Sequence, residues 1–236
     1  MIRVNAGRLW TTLEMMAQIG GTPAGGVTRL ALSEEDRIAR NLLRDWALEA
    51  GLTCDVDSMG NMFIRRAGTN PALAPVMTGS HVDSQPLGGN YDGIYGVLAG
   101  LELLRTLNDN NVQTERDIVL VNWTNEEGAR FAPAMLASGV WAGQLSEDFA
   151  YARMDSKRVT VREALEAIGY RGEIPARAFP VHACYELHIE QGPILEDESI
   201  DIGLVRAAMG QRWFTLALEG FAAHAGTTPM HSRRDA

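Results

Sequence analysis

The hydrophobic pattern is clearest between residues 76 and 107, and it predicts a strand, a polar loop and a helix. A short apolar run, Val76 to Met77, ends in Thr78-Gly79-Ser80 and suits a buried strand. The glycines and proline of residues 86–93 exclude a regular element and let backbone approach a neighbour closely. Apolar residues at helical spacing follow, at Ile94, Val97, Leu98, Leu101, Leu104 and Leu107. This order predicts a ligand site at the carboxyl edge of an α/β sheet.

Further strands and helices are predicted on both sides of this stretch. Ser33 is a suitable N-cap for an amphipathic helix that Gly51 ends, and residues 53–57 and 62–66 form a predicted hairpin. The continuous apolar run at residues 118–121 is typical of a strand covered on both faces. Thr160 and Gly169 bound a short helix, and residues 183–189 form a further predicted strand.

The pattern changes after Asp201 to alternating strands. Trp213, Thr215, Ala217 and Glu219 alternate with the apolar residues Phe214, Leu216 and Leu218, which predicts a sheet with one solvated face. We therefore place a domain boundary at residues 209/210. Residues 1–209 are the predicted metal-binding domain, and residues 210–236 are the predicted beginning of a second domain.

Composition narrows the class of protein. Of the 236 residues, 46% are hydrophobic and 22% are charged, which is ordinary for a globular protein. The net charge of −9 argues against nucleic acid as a partner. No apolar run approaches the ~20 residues that span a bilayer, so no membrane partner is expected. Cys54 and Cys184 have neither metal-site nor disulfide-framework spacing, and a cytoplasmic location is the expectation.

Four candidate metal ligands follow three predicted strands: His81, Asp92, Glu127 and His188. Nitrogen and carboxylate ligands without cysteine suit zinc, manganese or cobalt. A carboxylate such as Asp92 can bridge two ions and so help to activate water. Asp83 is placed to accept the other imidazole N–H of His81, and Glu126 is the candidate general base.

Each of these residues also has a simpler interpretation. A His–x–Asp sequence is often a surface hydrogen bond, and paired glutamates at a strand end are usually solvated. Their joint occurrence at the ends of apolar strands, beside a glycine loop, is what favours a metal site. His224 lies in a turn of small residues that allows either close packing or a ligand. We interpret the remaining candidates as structural, namely His182, His231, Cys54 and Cys184.

Two other catalytic classes lack their signatures. The sequence GGNYDG is not followed by Gly-Lys-Ser/Thr, which argues against a phosphate-binding loop. No G-x-S-x-G sequence occurs, which argues against a serine hydrolase.

Five segments together resemble the amidase/carbamoylase branch of the dinuclear zinc aminoacylase–carboxypeptidase family. In chain order they are GSHVDS, GGNYDG, NEEGARF, ELHIEQGPILE and HAGTTPM. The branch includes N-carbamoyl-L-amino-acid hydrolases, β-ureidopropionases and allantoate amidohydrolases. The resemblance implies a zinc-exopeptidase-like α/β fold, with a mixed sheet flanked by helices and an α+β lid and dimerisation domain.

The resemblance also implies roles for residues. His81, Asp92 and His188 would hold one of two divalent ions per subunit. Asp92 would bridge to a second ion, held by Glu127 and a further histidine, and Glu126 would deprotonate the nucleophilic water. Peptidase relatives have a carboxylate at the position of His188. The resemblance assigns substrate contacts to Gln191, Arg212 and His224, the last acting from the partner subunit of a homodimer.

The resemblance further implies a small-molecule substrate, with an N-carbamoyl-L-amino acid as the first choice. Allantoate or β-ureidopropionate hydrolysis, and behind them dipeptidase or aminoacylase activity, are the alternatives. Family chains are longer than this one, and their last metal histidine lies in a region that this sequence lacks. We therefore expect a C-terminally truncated chain that is inactive by itself, and an inactive metal-binding or dimerisation module is the alternative class.

Overall fold

The computed structural model describes residues 2–210, 212, 214 and 216–236. Its internal contacts divide the chain into two compact units, Met1–Gln191 and Gly192–Ala236. The boundary predicted at residues 209/210 falls within the second unit and stays a prediction about the domains of the whole protein.

The first unit contains a five-stranded sheet and six helices among its described residues. In chain order these are α1 (Ala6–Ala17), α2 (Glu34–Glu49), β1 (Thr53–Val56), β2 (Met62–Arg66), β3 (Val76–His81), α3 (Asp92–Asp109), β4 (Ile118–Trp123), α4 (Leu136–Trp141), α5 (Glu147–Tyr151), α6 (Val161–Ile168) and β5 (Ala183–Tyr185). The predicted α/β class is confirmed.

The sheet is mixed, with the strand order β1-β2-β4-β3-β5. The predicted β1–β2 hairpin is antiparallel, and β2 also pairs antiparallel with β4. Strand β3 is parallel to both β4 and β5. His81 pairs with Trp123 in the β3–β4 register, so both strands end at the same edge of the sheet. That edge is where the predicted ligands gather.

Strand β5 is shorter than the predicted strand at residues 183–189. Tyr185, opposite Thr78, is its last paired residue. The next residue, Glu186, contacts β3 through its side chain, because the Ser80 hydroxyl donates to a Glu186 carboxylate oxygen at 2.5 Å. The chain from Glu186 onward therefore leaves the strand ladder and is free to turn His188 toward the sheet edge.

Local signals set the helix ends as predicted. The Ser33 hydroxyl accepts the backbone N–H of Asp36, and three acidic residues occupy the first turn of α2. Thr160 and Glu163 form a capping box at the start of α6. Gly169 ends that helix with the positive φ of 71° that glycine adopts without strain.

The core covers both faces of the central strand β4. Leu120 packs with α1, α2 and α3 residues on one face, including Leu43, Leu98 and Leu101. Val119 and Val121 pack with Phe63 and Met77 on the other face. Each fully buried side chain of this size contributes about 1.5–3 kcal/mol of transfer free energy. The continuous apolar run at residues 118–121 therefore has the burial that its pattern predicts.

The second unit has little regular structure. Its assigned elements are α7 (Ile194–Asp197) and a 3₁₀ turn (Met230–Ser232). Among its described residues no strand is assigned, so the alternating strands predicted after Asp201 are wrong there, and Trp213 and Thr215 lie outside the described residues. Large apolar side chains of this segment are exposed instead of packed against a sheet: Val205 is 91% exposed and Phe214 is 80% exposed.

Among the described residues, no helix has both the length and the apolar composition required to cross a membrane.

Candidate metal centre

Three of the four predicted metal ligands meet at the carboxyl edge of the sheet. His81 is the last residue of β3, Asp92 is the first residue of α3, and His188 follows β5. One ligand atom from each lies within 4.8 Å of the other two. His188 Nε2 is 3.4 Å from Asp92 Oδ1. Two imidazoles and a carboxylate at these separations can surround one divalent cation.

The imidazole of His81 is held in one orientation from within its own loop. Its Nδ1 lies 2.8 Å from the backbone carbonyl oxygen of Asp83. A carbonyl only accepts, so this contact requires a proton on Nδ1. When the ring is neutral, the Nε2 lone pair is then available for a ligand bond. The predicted acceptor was the Asp83 carboxylate, whose Oδ1 is 3.8 Å away. The residue is the predicted one, but its carbonyl makes the close contact.

The Asp83 carboxylate faces the end of β4 instead. It accepts the backbone N–H groups of Glu126 and Glu127 at 3.3 Å each. The side chain is buried, and burial raises its pKa to about 6, although the nearby His81 acts in the opposite direction. Asp83 thus connects the loop after β3 with the glutamate pair after β4.

Glu126 and Glu127 face different neighbours. Glu126 Oε2 lies 3.4 Å from His81 Nε2, the nitrogen that points toward the candidate metal position. Glu127 is half-buried, and desolvation together with the adjacent Asp92 carboxyl raises its pKa to about 7. Two carboxyl groups this close repel each other when both are ionised, and a cation between them would remove that cost. The donor set therefore fits a divalent metal ion.

The charge state of His81 reflects the same surroundings. Burial lowers the pKa of the imidazole, but the carboxylates of Asp83, Glu126 and Asp92 raise it and outweigh burial, so the pKa lies above its usual value. A metal ion would compete with the proton for Nε2 of His81, so the affinity of the site for metal is expected to fall as the pH falls.

The three predicted substrate contacts fall in different places. Gln191 lies at the candidate metal centre, where its Nε2 donates to Asp92 Oδ1 at 2.8 Å. Arg212 and His224 belong to the second unit, and their roles stay predictions. The ring nitrogen Nδ1 of His224 accepts the backbone N–H groups of Gly226 and Thr227, which fixes the ring within its own turn.

Sequence reasoning missed several residues that position the site. Gln85 Nε2 donates to Glu127 Oε2 at 3.0 Å. The buried guanidinium of Arg29 donates to the carbonyl oxygen of Val82 at 2.8 Å, and the backbone N–H of Arg29 donates to Ser84 Oγ. An arginine in a polar loop is normally solvated, so the sequence contains no signal that would have singled out Arg29.

A comparison of this sequence with protein families identifies one match. The sequence profile of peptidase family M20/M25/M40 matches residues 77–233, about two thirds of the chain. The chain belongs to this family. Membership of family M20/M25/M40 implies divalent metal ions, and the His81, Asp92 and His188 group can bind one.

Individual relatives within the family are amidohydrolases. The chain is 51% identical over 234 residues to an N-carbamoyl-L-amino-acid amidohydrolase of Rhizobium meliloti, covering 99% of this chain and 56% of the relative. It is 34% identical over 244 residues to a ureidoglycolate hydrolase of Arabidopsis thaliana, covering 100% of this chain and 51% of the relative. These similarities confirm the resemblance to the amidase/carbamoylase branch. The chain spans about half the length of these curated relatives.

A solved structure gives the same result for the fold. The crystal structure of a hydantoinase/carbamoylase family amidase from Burkholderia vietnamiensis matches this chain with a TM-score of 0.94 and 55% identity. The match covers 100% of this chain and 57% of that one. The mixed sheet and its flanking helices are therefore those of this family.

Proposed function

We propose that this protein is a divalent-metal amidohydrolase that acts on linear, non-peptide amides. The proposed substrate is an N-carbamoyl-L-amino acid, which is hydrolysed to the amino acid, carbon dioxide and ammonia. The observation that carries the proposal is the group of His81, Asp92 and His188 at the sheet edge, with Glu126 beside it. The 51% identity to an N-carbamoyl-L-amino-acid amidohydrolase supports this choice of substrate.

His81, Asp92 and His188 would hold the first of two proposed ions, and Asp92 and Glu127 would contribute to the second. Zinc, manganese and cobalt suit this nitrogen and carboxylate ligand set. Bound ions would supply Lewis acidity, which acidifies water and polarises an amide carbonyl.

Glu126 is the proposed general base. Its carboxylate is partly exposed and lies beside His81 Nε2, so it can reach both the site and solvent. Asp83 fixes the backbone of Glu126 through the amide contact described above, which limits the movement of the carboxylate. Such a base would take the proton from the attacking water and later deliver it to the leaving nitrogen.

The remaining proposed roles concern the substrate and assembly. Gln191 and Arg212 would contact the substrate, and His224 would polarise the scissile carbonyl from the partner subunit of a homodimer. Cytoplasm remains the proposed compartment, since Cys54 and Cys184 are both free thiols.

A panel of substrates tests the proposal. The protein, loaded separately with zinc, manganese or cobalt, would be assayed against N-carbamoyl-L-amino acids, their D-enantiomers, allantoate, β-ureidopropionate and dipeptides. We expect the highest kcat/KM with an N-carbamoyl-L-amino acid and little turnover of dipeptides. Faster hydrolysis of a dipeptide would contradict the proposal.

The second candidate function is hydrolysis of allantoate, β-ureidopropionate or a related ureido acid. The similarity to a plant ureidoglycolate hydrolase favours it, at the lower identity of 34%. In the same panel, this candidate requires a ureido acid without an amino-acid side chain to be the best substrate.

An inactive metal-binding module is the alternative from a different class. It would bind the metal stoichiometrically and turn over none of these compounds. The chain spans 56% of its N-carbamoyl relative. The substrates should therefore be assayed both with residues 1–236 and with a longer chain of this protein that matches the relative in length. We expect turnover only from the longer chain.

A further inference from the structure

Two glycines of α3 lie directly against the segments that carry the two histidines of the metal centre. A methyl group built at Gly93 would overlap the His81 ring at Cδ2, Nε2 and Cγ, each at less than 3.0 Å. A methyl group at Gly96 would overlap the carbonyl oxygen of Leu187, the residue before His188, also at less than 3.0 Å. It would also overlap Cβ of Ser80, the residue before His81, at 2.9 Å. Both glycines are buried.

These two contacts complement the hydrogen bond that orients His81. The Asp83 carbonyl fixes rotation of the ring through Nδ1. Gly93 sets how closely the ring approaches the first turn of α3, the turn that begins with Asp92. The hydrogen bond at Nδ1 prevents the ring from rotating out of the overlap. A side chain at residue 93 would therefore shift the whole ring, including Nε2, away from the turn that carries Asp92.

Gly96 has the corresponding effect on the other histidine. The Leu187 carbonyl is backbone, so it cannot rotate away as the end of a side chain could. Relief of the overlap would move the backbone that continues into His188, whose Nε2 lies 3.4 Å from Asp92 Oδ1. The distance from α3 to this segment therefore sets the distance between the two ligands.

We propose that Gly93 and Gly96 are positioning residues of the metal centre, and that the space they leave on α3 fixes the separation of His81 and His188 from Asp92. The proposal rests on the proposed metal function, but part of its test needs neither metal nor turnover. If either glycine gained a side chain, the histidine on that side would be pushed away from α3 and from Asp92.

Two matched controls separate this role from general packing. Gly100 is buried on the same helix, and its added methyl would meet the flexible end of Leu120, at 2.7 Å, rather than a ligand segment. Gly89 has nothing within 4 Å of an added methyl. Alanine has the higher helix propensity, so backbone preference alone would favour all three substitutions within α3.

The first measurement is metal affinity in the intact protein, by competition with a chelator, for Gly93→Ala, Gly96→Ala, Gly100→Ala and Gly89→Ala. We expect affinity to fall by about tenfold or more in the first two variants, the range typical for residues that orient ligands, and to be little changed in the two controls. The visible absorption spectrum of the cobalt-loaded protein should change in the first two only. Equal affinities and spectra in Gly96→Ala and Gly100→Ala would overturn the proposal.

The second measurement is a double-mutant cycle on the free energy of unfolding, made in the presence of chelator. If the methyl of Gly93→Ala overlaps the imidazole, replacement of His81 by alanine removes the overlap and should recover most of the stability that Gly93→Ala loses. If Gly93→Ala alone does not fold, a double variant that does fold gives the same result. A double variant as unstable as the sum of the two single variants would overturn the proposal and would leave the proposed function untouched.

Discussion

At the residue scale, Glu126 and Glu127 are neighbours in sequence with different surroundings. Glu126→Gln keeps the size of the side chain and removes the proposed base, so turnover should fall by about 10²–10⁴-fold with metal retained. Glu127→Gln should weaken metal binding as well, because its carboxylate lies against Asp92. Elemental analysis of the two variants, and kcat of the same substitutions in the longer chain, check this. Equal metal loss in both variants would contradict the assigned roles.

Asp92 is the residue that both proposed ions share. Asp92→Ala should therefore remove both metals, whereas His81→Ala should leave part of the second. The measurement is metal content per protein after gel filtration. Asp92→Asn, which preserves the volume and the acceptor for Gln191, is the control for folding. Unchanged metal in Asp92→Ala would exclude a bridging role.

Asp57 lies away from the metal centre, in the turn of the β1–β2 hairpin, and should make stability depend on pH. Burial raises its pKa to about 6, although Asn61 and Met59 donate to it and act in the opposite direction. A raised carboxyl pKa means that the folded state binds the proton more tightly than the unfolded state. Stability from this group is therefore greatest below the unfolded pKa of 3.8 and falls as the pH rises through about 6.

The test for Asp57 is a comparison with Asp57→Asn in metal-free protein. Between about pH 4 and pH 7, the wild type should lose on the order of 2–3 kcal/mol relative to the variant. Urea unfolding at several pH values measures the difference. A constant difference across this range would show that the pKa of Asp57 is the same in the folded and unfolded states.

At the scale of elements, the buried Arg40 forms an ion pair within α2 and joins this helix to the segments beside β2 and β4. Arg40 and Asp36 are fully buried, with Nε and Oδ1 2.9 Å apart. The angle there does not satisfy a hydrogen bond, so the attraction is mainly ionic. Arg40 also donates to the Gly60 carbonyl at 2.7 Å and to Thr124 Oγ1 at 3.1 Å. Thr124 directly follows β4, so Arg40 holds α2 against the segment leading to Glu126.

Arg40→Ala should destabilise the protein by about 3–5 kcal/mol, because it leaves the buried Asp36 carboxylate without its ion-pair partner. Adding Asp36→Asn should recover part of the loss, since the uncompensated charge disappears. Guanidinium unfolding of the two single variants and the double variant measures the coupling. Strictly additive losses would indicate that the pair does not interact.

The pattern of apolar residues predicted most elements because each follows local rules. The run at residues 118–121 is covered on both faces as expected, and Ser33 and Thr160 cap their helices. The predicted strand at residues 183–189 was too long because its apolar residues cannot show where the partner strand stops. Likewise, the sequence placed Asp83 beside His81 but could not show that its carboxylate reaches the amides after β4.

Buried cations were the least predictable part of the site. Arg29 and Arg40 are buried because carbonyl groups from distant segments surround them, namely those of Val82 and Gly60. Such acceptors are far away in sequence and become neighbours only in the fold. The contact of Gly93 with the His81 ring was unforeseen for the same reason.

At the scale of the molecule, the two units differ in how much apolar surface they bury. Leu204 is 88% exposed and Met209 is 92% exposed, whereas Val119 and Leu120 of β4 are fully buried. Segments with few buried contacts open at low free energy. Backbone amides of the described residues between 192 and 236 should therefore exchange with deuterium much faster than those of β3 and β4. Mass-spectrometric exchange checks this, and equal protection of the two units would contradict it.

The strand order also has a consequence for synthesis on the ribosome. Strand β4 is the neighbour of both β2 and β3, yet it is the fourth strand to be made. Until residue 123 has left the exit tunnel, the β1–β2 hairpin and β3 have no shared partner in the sheet, and His81 has no glutamate pair opposite it. The hairpin and β3 therefore join into one sheet only after β4 has emerged, and β5 is added to β3 later still. The candidate metal ligands come together only when His188 has emerged.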